Sequence, residues 1–193
     1  MKYVKILGLA AVAAMAMMAV AASSASATTL EVNGVTQNGP VTITASLEDE
    51  GSATLKTTSS SFVDTCTTSH VHGTTTSPYS ASVISGHIEE LTFDNCTHET
   101  EVHKAGSLSV EWTSGTNGTV RSTGAEVTVE STTFGVTLTC KTNNTDIGKI
   151  TGVSSGHATM DIDGVVNCGF FVPSAKWEGS YWITSPTGLG VEA

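Results

Sequence analysis

The chain has 193 residues, a formal net charge of −10 at pH 7 and a sequence pI of about 4.8. Such an acidic surface repels phosphate backbones and anionic lipid headgroups, which argues against nucleic-acid binding. The length suits one domain or two very small ones.

The first 27 residues are typical of an export signal. Lys2 and Lys5 form a positive n-region, an uncharged apolar run follows, and small residues lead to an A-x-A pattern that ends at Ala27. The run is close to membrane-spanning length, so a retained anchor is the alternative. We expect cleavage, which removes both lysines and takes the net charge from −10 to −12. The mature chain then begins at Thr28, is secreted or envelope-associated, and has no membrane attachment.

Apolar and polar residues alternate in several mature segments, as in strands with one buried face and one solvent-exposed face. Clear examples are residues 41–47, 108–112, 125–130 and 158–163. Asn-Gly and Asp-Gly steps supply turn signals, and no mature segment has a convincing 3.6-residue period over a helix length. The sequence therefore predicts an all-β fold, either an antiparallel β-sandwich or a flattened barrel.

Landmark residues recur in the same order at offsets of 70 to 74 residues. The pairs are Phe62 and Phe134, Cys66 and Cys140, His87 and His157, Cys96 and Cys168, and Gly106 and Gly179. This recurrence predicts two tandem repeats, near 51–118 and 124–191. Because each repeat is small for an independent core, we expect both to pack into one pseudo-symmetric domain over 28–193.

Four cysteines in an exported chain predict two disulfides, with three possible pairings. They are Cys66, Cys96, Cys140 and Cys168. If the ancestral unit already carried its own bridge, the pairs are Cys66–Cys96 and Cys140–Cys168, and we favour this pairing. The symmetry of the repeat alone does not select it. No C-x-x-C spacing points to a thiolate metal site.

Two short motifs suggest chemistry but lack its structural context. Residues 152–156, GVSSG, match the G-x-S-x-G elbow of serine hydrolases, which needs a strand, a strained turn and a helix. Here the flanking runs are both strand-like. Residues 161–164, DIDG, lack the remaining ligands of a calcium loop. We therefore expect no catalytic residues, no cofactor and no enzymatic activity.

The C-terminal part of the chain resembles small secreted Ser/Thr-rich proteins of actinobacteria that have no assigned function. The resemblance is carried by GHATMDI at 156–162, NCG at 167–169, PSAKWEGSY at 173–181 and TSPTG at 184–188. It implies export and an all-β fold, and it implies no activity or site.

The three tryptophans, Trp112, Trp177 and Trp182, are candidates for an aromatic platform on which sugars stack. Trp112 shares a strand face with Leu108 and Val110, which predicts core packing. Trp182 alternates with Tyr181 and Ile183, so it points away from them and is the plausible exposed aromatic.

Histidines confined to the first repeat form the other candidate site. Pairing Cys66 with Cys96 would bring His70 and His72 toward His98, with His103 in the same region. Neutral imidazoles beside acidic groups can hold zinc or copper. The alternative, which we favour, is a mobile polar loop that binds no metal.

The sequence thus favours a secreted, non-enzymatic extracellular or cell-envelope protein with a structural or interaction role and an unidentified extracellular partner. The alternative is an extracellular ligand-binding module for a carbohydrate or a metal ion.

Overall fold

The computed structural model describes residues 27–58, 62–131, 135–170 and 172–193. The expected export signal lies outside these residues, apart from Ala27, and so does the repeat landmark Phe134. The described residues form strands and no helix. The strands are β1 Thr29–Val32, β2 Val35–Thr36, β3 Thr42–Leu47, β4 Ala53–Thr57, β5 Val63–Thr76, β6 Ile84–Cys96, β7 Glu99–Lys104, β8 Ser107–Ser114, β9 Asn117–Thr123, β10 Glu126–Ser131, β11 Val136–Lys141, β12 Thr145–Thr151, β13 Ala158–Val166, β14 Ala175–Ser185 and β15 Leu189–Glu192. Nothing in this described part is a helix of the length and apolar character needed to cross a membrane.

Eight strands close into an antiparallel barrel. Around the barrel the order is β3-β5-β6-β8-β9-β12-β13-β14, and β14 pairs with β3 to complete the ring. β4 pairs with both β14 and β5. Two three-stranded sheets lie outside the ring, with the orders β15-β1-β2 and β11-β10-β7. The predicted all-β class is confirmed, and of the two architectures considered the chain adopts the barrel.

Burial in the barrel follows the alternation in the sequence. On β13, Ala158, Met160 and Ile162 are buried, whereas Thr159 and Asp161 lie on the opposite face. The main core is formed by these inward residues together with apolar residues from the β1-β15 sheet. Its buried members are Leu30, Val41, Ala45, Ile84, Val120, Ile147, Ile150, Ala158, Met160, Ile162, Tyr181, Ile183, Leu189 and Val191. Trp112 packs against this core, as expected.

A second core joins the β11-β10-β7 sheet to one part of the barrel. Its buried members are Phe62, Val129, Leu138, Cys140, Val166, Cys168 and Ala175. The side chains therefore come from the small sheet, from β13 and β14, and from the segment before β5. This core fixes the small sheet against the barrel wall.

The cysteines form two disulfides, Cys66–Cys96 and Cys140–Cys168, which confirms the pairing within each predicted repeat. Cys66 and Cys96 face each other in the antiparallel register of β5 and β6. Cys140 lies on β11, and Cys168 follows β13, so the second bridge ties the small sheet to the barrel covalently.

Tyr181 is the largest of the fully buried side chains. Its hydroxyl donates to Ser69 Oγ at 3.0 Å, and Ser69 Oγ donates in turn to the Thr92 carbonyl oxygen at 2.7 Å. Burial raises the pKa of Tyr181 to about 12, while the bond to Ser69 acts in the opposite direction. The phenol is therefore neutral in the folded protein throughout the ordinary pH range.

This raised pKa predicts a loss of stability in alkaline solution. The unfolded phenol ionises near pH 10, so between about pH 10 and 12 the folded state binds more protons than the unfolded state. In that window Tyr181 should remove about 1.4 kcal/mol of unfolding free energy per pH unit. In Tyr181→Phe this contribution should vanish. The check is urea unfolding of both proteins from pH 9 to 12. Equal pH slopes for the two proteins would contradict the prediction.

Candidate functional site

His70 and His72 lie within strand β5, so the expectation of a polar loop at these residues is wrong. They lie on the same side of the strand, as residues two apart do. His72 Nδ1 lies 3.0 Å from Thr44 Oγ1, and its Nε2 lies 3.4 Å from Glu89 Oε2. The first contact is a hydrogen bond between the ring and the threonine hydroxyl, and the second places the ring beside an acidic group. Both ring nitrogens of His72 are therefore already engaged.

His98 and His103 lie away from His70 and His72. The His98 ring stacks on Phe62 with 4.8 Å between ring centroids. His103 Nε2 lies 2.9 Å from Thr128 Oγ1 on the small sheet. The expectation that the first disulfide brings the histidines together is wrong, because the strands are antiparallel. From Cys66 the chain runs along β5 toward His70, whereas beyond Cys96 it runs in the opposite direction to His98.

Within the described ranges, one group of three His, Cys, Asp or Glu residues has its potential ligand atoms within 4.8 Å of one another. It consists of Asp64, Cys66 and Cys96. The two sulfur atoms are bonded to each other, so neither is a thiolate that binds metal. The histidine group thus offers no assembled metal site.

Sequence reasoning missed Asp64, a carboxylate that is only 2% exposed. Its Oδ1 accepts from the His98 backbone N–H at 2.9 Å, and its Oδ2 accepts from Thr100 Oγ1 at 2.7 Å. These bonds hold the turn between β6 and β7 against β5. The available signal was its position two residues before Cys66, on the same face of a strand.

The tryptophans differ in what they contact. Trp112 Nε1 donates to the Gly115 carbonyl oxygen at 2.8 Å. Trp177 meets Phe93 edge to face, with 5.9 Å between ring centroids, and contacts the barrel core. Both are therefore structural rather than exposed platforms. Trp182 remains as the candidate.

Trp182 lies on the outer face of the barrel, since its neighbours on β14, Tyr181 and Ile183, are 0% and 2% exposed. The half-buried indole stacks on the His157 ring, with centroids 6.0 Å apart and an interplanar angle of 13°. His157 Nδ1 lies 3.1 Å from the Ile183 carbonyl oxygen. That oxygen accepts, so Nδ1 carries a proton, and in the neutral ring Nε2 is left as an acceptor. The prediction that Trp182 points away from Tyr181 and Ile183 is confirmed.

Hydroxyl groups and a carboxylate surround this ring pair. The residues directly opposite Trp182 on the adjacent strands are Thr159 on β13 and Ser46 on β3. Two residues before Trp182, Ser180 donates to Asp161 Oδ1 at 2.8 Å. We call Trp182, His157, Ser46, Thr159 and Asp161 the Trp182 face. It presents one aromatic plane beside several hydrogen-bonding groups.

Beyond Ser46 the same face continues onto β5. Ser46 is opposite His70, and Thr44 is opposite His72 in the β3–β5 register. Neighbouring strands lie about 4.8 Å apart, so His70 is about 10 Å from Trp182 across the sheet. The polar surface beside Trp182 therefore extends across β3 to β5 and is wider than the indole ring itself.

The short motifs that suggested chemistry have structural roles. Residues 152–156 connect β12 to β13, so a strand follows GVSSG where a hydrolase elbow requires a helix. In the second motif, DIDG at 161–164, Asp163 contacts a lysine. Lys176 Nζ lies 2.8 Å from Asp163 Oδ1 and 2.7 Å from Glu178 Oε1, and these carboxylates raise the pKa of Lys176. Asp163 is thus engaged in an ion pair.

Glu31, which lies away from the Trp182 face, has a carboxyl group with a raised pKa. Burial, and then the hydrogen bond and charge of Glu192, raise the pKa of Glu31. Thr36 Oγ1 also donates to Glu192 Oε2 at 3.0 Å. These residues lie in the β15-β1-β2 sheet and do not line the cavities of the barrel interior.

No known protein family matches this sequence, and comparisons with curated proteins and with solved structures give no significant match.

Proposed function

We propose that this chain is a secreted, non-enzymatic protein of the extracellular space or cell envelope that binds surface carbohydrate. The observation that carries the proposal is the Trp182 face, a stacked indole and imidazole on the outer barrel wall, bordered by hydroxyl groups and a carboxylate. The indole of tryptophan has an apolar ring face and a polar N–H, so it suits a partner molecule that has both an apolar and a polar surface.

The chemistry of this face matches a neutral sugar. The C–H face of a pyranose can lie on the indole, while its hydroxyl groups reach Ser46, Thr159, Asp161 and His157 Nε2. A carboxylate has about four acceptor positions, and Asp161 uses one for Ser180. The net charge of −10 disfavours anionic sugars at this surface. Neutral glycans of the envelope are therefore the proposed partner class.

Export is supported by two independent features. One is the signal-like segment that ends at Ala27, and the other is the pair of disulfides, which persist in oxidising compartments. The resemblance to small secreted actinobacterial proteins agrees with both.

The proposal predicts that Trp182→Ala weakens binding to neutral glycans by about tenfold or more, because a stacked tryptophan is typically the main anchor of such a contact. A panel of neutral oligosaccharides and insoluble envelope polysaccharides, measured by calorimetry and sedimentation, provides the test. Val165→Ala is the matched control, since Val165 is an exposed apolar side chain elsewhere on the barrel wall, at 54% exposure.

Trp182→Phe should retain part of the affinity, because an aromatic plane remains. Two results would count against carbohydrate binding: no glycan of the panel binds the wild-type protein, or Trp182→Ala binds as tightly as the Val165→Ala control. Circular dichroism of each variant checks that the fold is preserved.

We also infer that the barrel consists of two copies of one four-stranded unit. The pairings β3–β5, β5–β6, β6–β8 and β8–β9 are followed by the corresponding pairings β9–β12, β12–β13, β13–β14 and β14–β3. This order supports duplication with units over 42–114 and 117–185, displaced from the 51–118 and 124–191 of the sequence pattern. Cα traces of the two units that fail to superpose in an experimental structure would contradict it.

A further inference from the structure

Three neighbouring apolar cavities of about 90, 20 and 60 Å³ lie among the described residues of the barrel and of the small sheet that packs on it. We call them the first, middle and last chambers. Leu30 and Leu189 line the first chamber, and Val127 and Val129 of the small sheet line the last. Well-packed interiors hold few voids larger than a water molecule, so a series of chambers is a departure from ordinary packing.

The chambers follow one another along the strands. On β14, Ile183 lines the first chamber, Tyr181 the middle one, and Trp177 both the middle and the last. On β6, Ile88 lines the first and middle chambers, and Leu91 lines the middle and last. The seven residues from Trp177 to Ile183 span about 20 Å of strand, so the apolar space is elongated.

Neighbouring chambers share lining residues. Val71, Ile88, Leu108 and Met160 line both the first and middle chambers. Leu91 and Trp177 line both the middle and last chambers. Methionine adapts its shape readily because it is unbranched and has three rotatable bonds. A narrow guest can therefore extend from one chamber into the next when these side chains change rotamer.

We propose that the barrel interior binds a neutral, unbranched, medium-chain amphiphile such as a medium-chain primary alcohol. The narrow middle chamber selects a linear chain over a ring system. The apolar lining selects hydrocarbon, because a guest there regains the dispersion contacts that an empty void forfeits. This proposal concerns the barrel interior and does not depend on carbohydrate binding at the outer Trp182 face.

Polar groups of the residues that line the last chamber determine which polar head group the ligand can carry. Trp177 Nε1 is buried and has no hydrogen-bond acceptor among the described residues. Asp64 also lines this chamber, and its buried carboxylate accepts hydrogen bonds. The oxygen of an alcohol can accept a hydrogen bond from the indole N–H. The hydroxyl group of the same alcohol can donate a hydrogen bond to the Asp64 carboxylate. The carboxylate of a fatty acid would instead lie beside the Asp64 carboxylate, to which it cannot donate a hydrogen bond.

The test is titration of the oxidised protein with octan-1-ol and with octanoate, followed by calorimetry and by NMR of the core methyl groups. We expect saturable octan-1-ol binding that shifts the Met160 methyl resonance, with octanoate at least about tenfold weaker, equivalent to about 1.4 kcal/mol. No saturable octan-1-ol binding, or equal affinity for octanoate, would overturn the proposal. The first result would make the chambers packing voids only.

Two variants localise the guest. Ala45 is 2% exposed and lines the first chamber, so Ala45→Leu fills that chamber and should abolish binding of both octan-1-ol and n-hexane. Trp177→Phe replaces the indole with a phenyl group, so an aromatic ring remains but the N–H is lost. It should weaken octan-1-ol by about fivefold to tenfold and leave n-hexane unchanged.

The matched control is Val35→Leu at a position 63% exposed. Thermal denaturation of each variant confirms folding. Unchanged octan-1-ol binding in folded Ala45→Leu would place the ligand outside the barrel and refute the assignment. Equal weakening of octan-1-ol and n-hexane in Trp177→Phe would refute the assigned head-group contact.

Discussion

Replacing Cys140 and Cys168 together with alanine is expected to lower the free energy of unfolding by about 3–4 kcal/mol. The bridge closes a loop with a sequence separation of 28 residues, and its loss enlarges the unfolded ensemble. Both cysteines are also buried in the second core, so alanine leaves a small void there. Small domains are stable by only about 5–15 kcal/mol, so the effect is large. Urea unfolding at pH 7 measures it.

The Cys66→Ala/Cys96→Ala double variant is the matched comparison, since that bridge has a sequence separation of 30 residues. The chain-entropy contribution should be nearly the same for both bridges. The bridge Cys66–Cys96 joins strands that are already paired, whereas Cys140–Cys168 attaches the small sheet. Hydrogen exchange in β10 and β11 should therefore accelerate only without the second bridge. A loss below about 1 kcal/mol for either pair would contradict the argument.

Gly148→Ala is expected to lower the free energy of unfolding by about 3 kcal/mol or more, through backbone strain and a steric clash. Gly148 has φ +149°, and a Cβ atom there would lie 1.9 Å from the Asp161 carbonyl oxygen on β13. Relief requires β12 and β13 to move apart, which breaks the ladder that includes the Gly148–Ile162 pair. Thermal and urea denaturation of the purified variant give the measurement.

Gly39→Ala is the control, because a Cβ atom at Gly39 meets no atom within 4 Å. It should leave the stability unchanged or raise it slightly, since alanine restricts the unfolded chain. If Gly148→Ala proves as stable as Gly39→Ala, the close approach of β12 to β13 is not a constraint on the fold.

The sequence by itself determined the strand class, the inward and outward faces, and the cysteine chemistry. On β13 the period of two placed Met160 and Ile162 inside and Asp161 outside, because successive side chains point to opposite faces of a strand. The same rule placed Trp182 on the outer face, opposite in direction to buried Tyr181. These properties are local, so a local pattern is enough to predict them.

The tertiary structure decided which strands meet. The alternation of apolar and polar residues shows which face of a strand is buried, but it does not show which strands pair. The pairing of β14 with β3 therefore could not be predicted from the sequence. The antiparallel register at Cys66–Cys96 sends His70 and His98 to opposite sides of the disulfide, which removed the expected histidine cluster. The restriction on Gly148 and the burial of Asp64 likewise depend on atoms from distant parts of the chain. The chambers of the barrel arise only where eight separate strands surround the same space, because the volume left inside depends on how side chains from all of them meet.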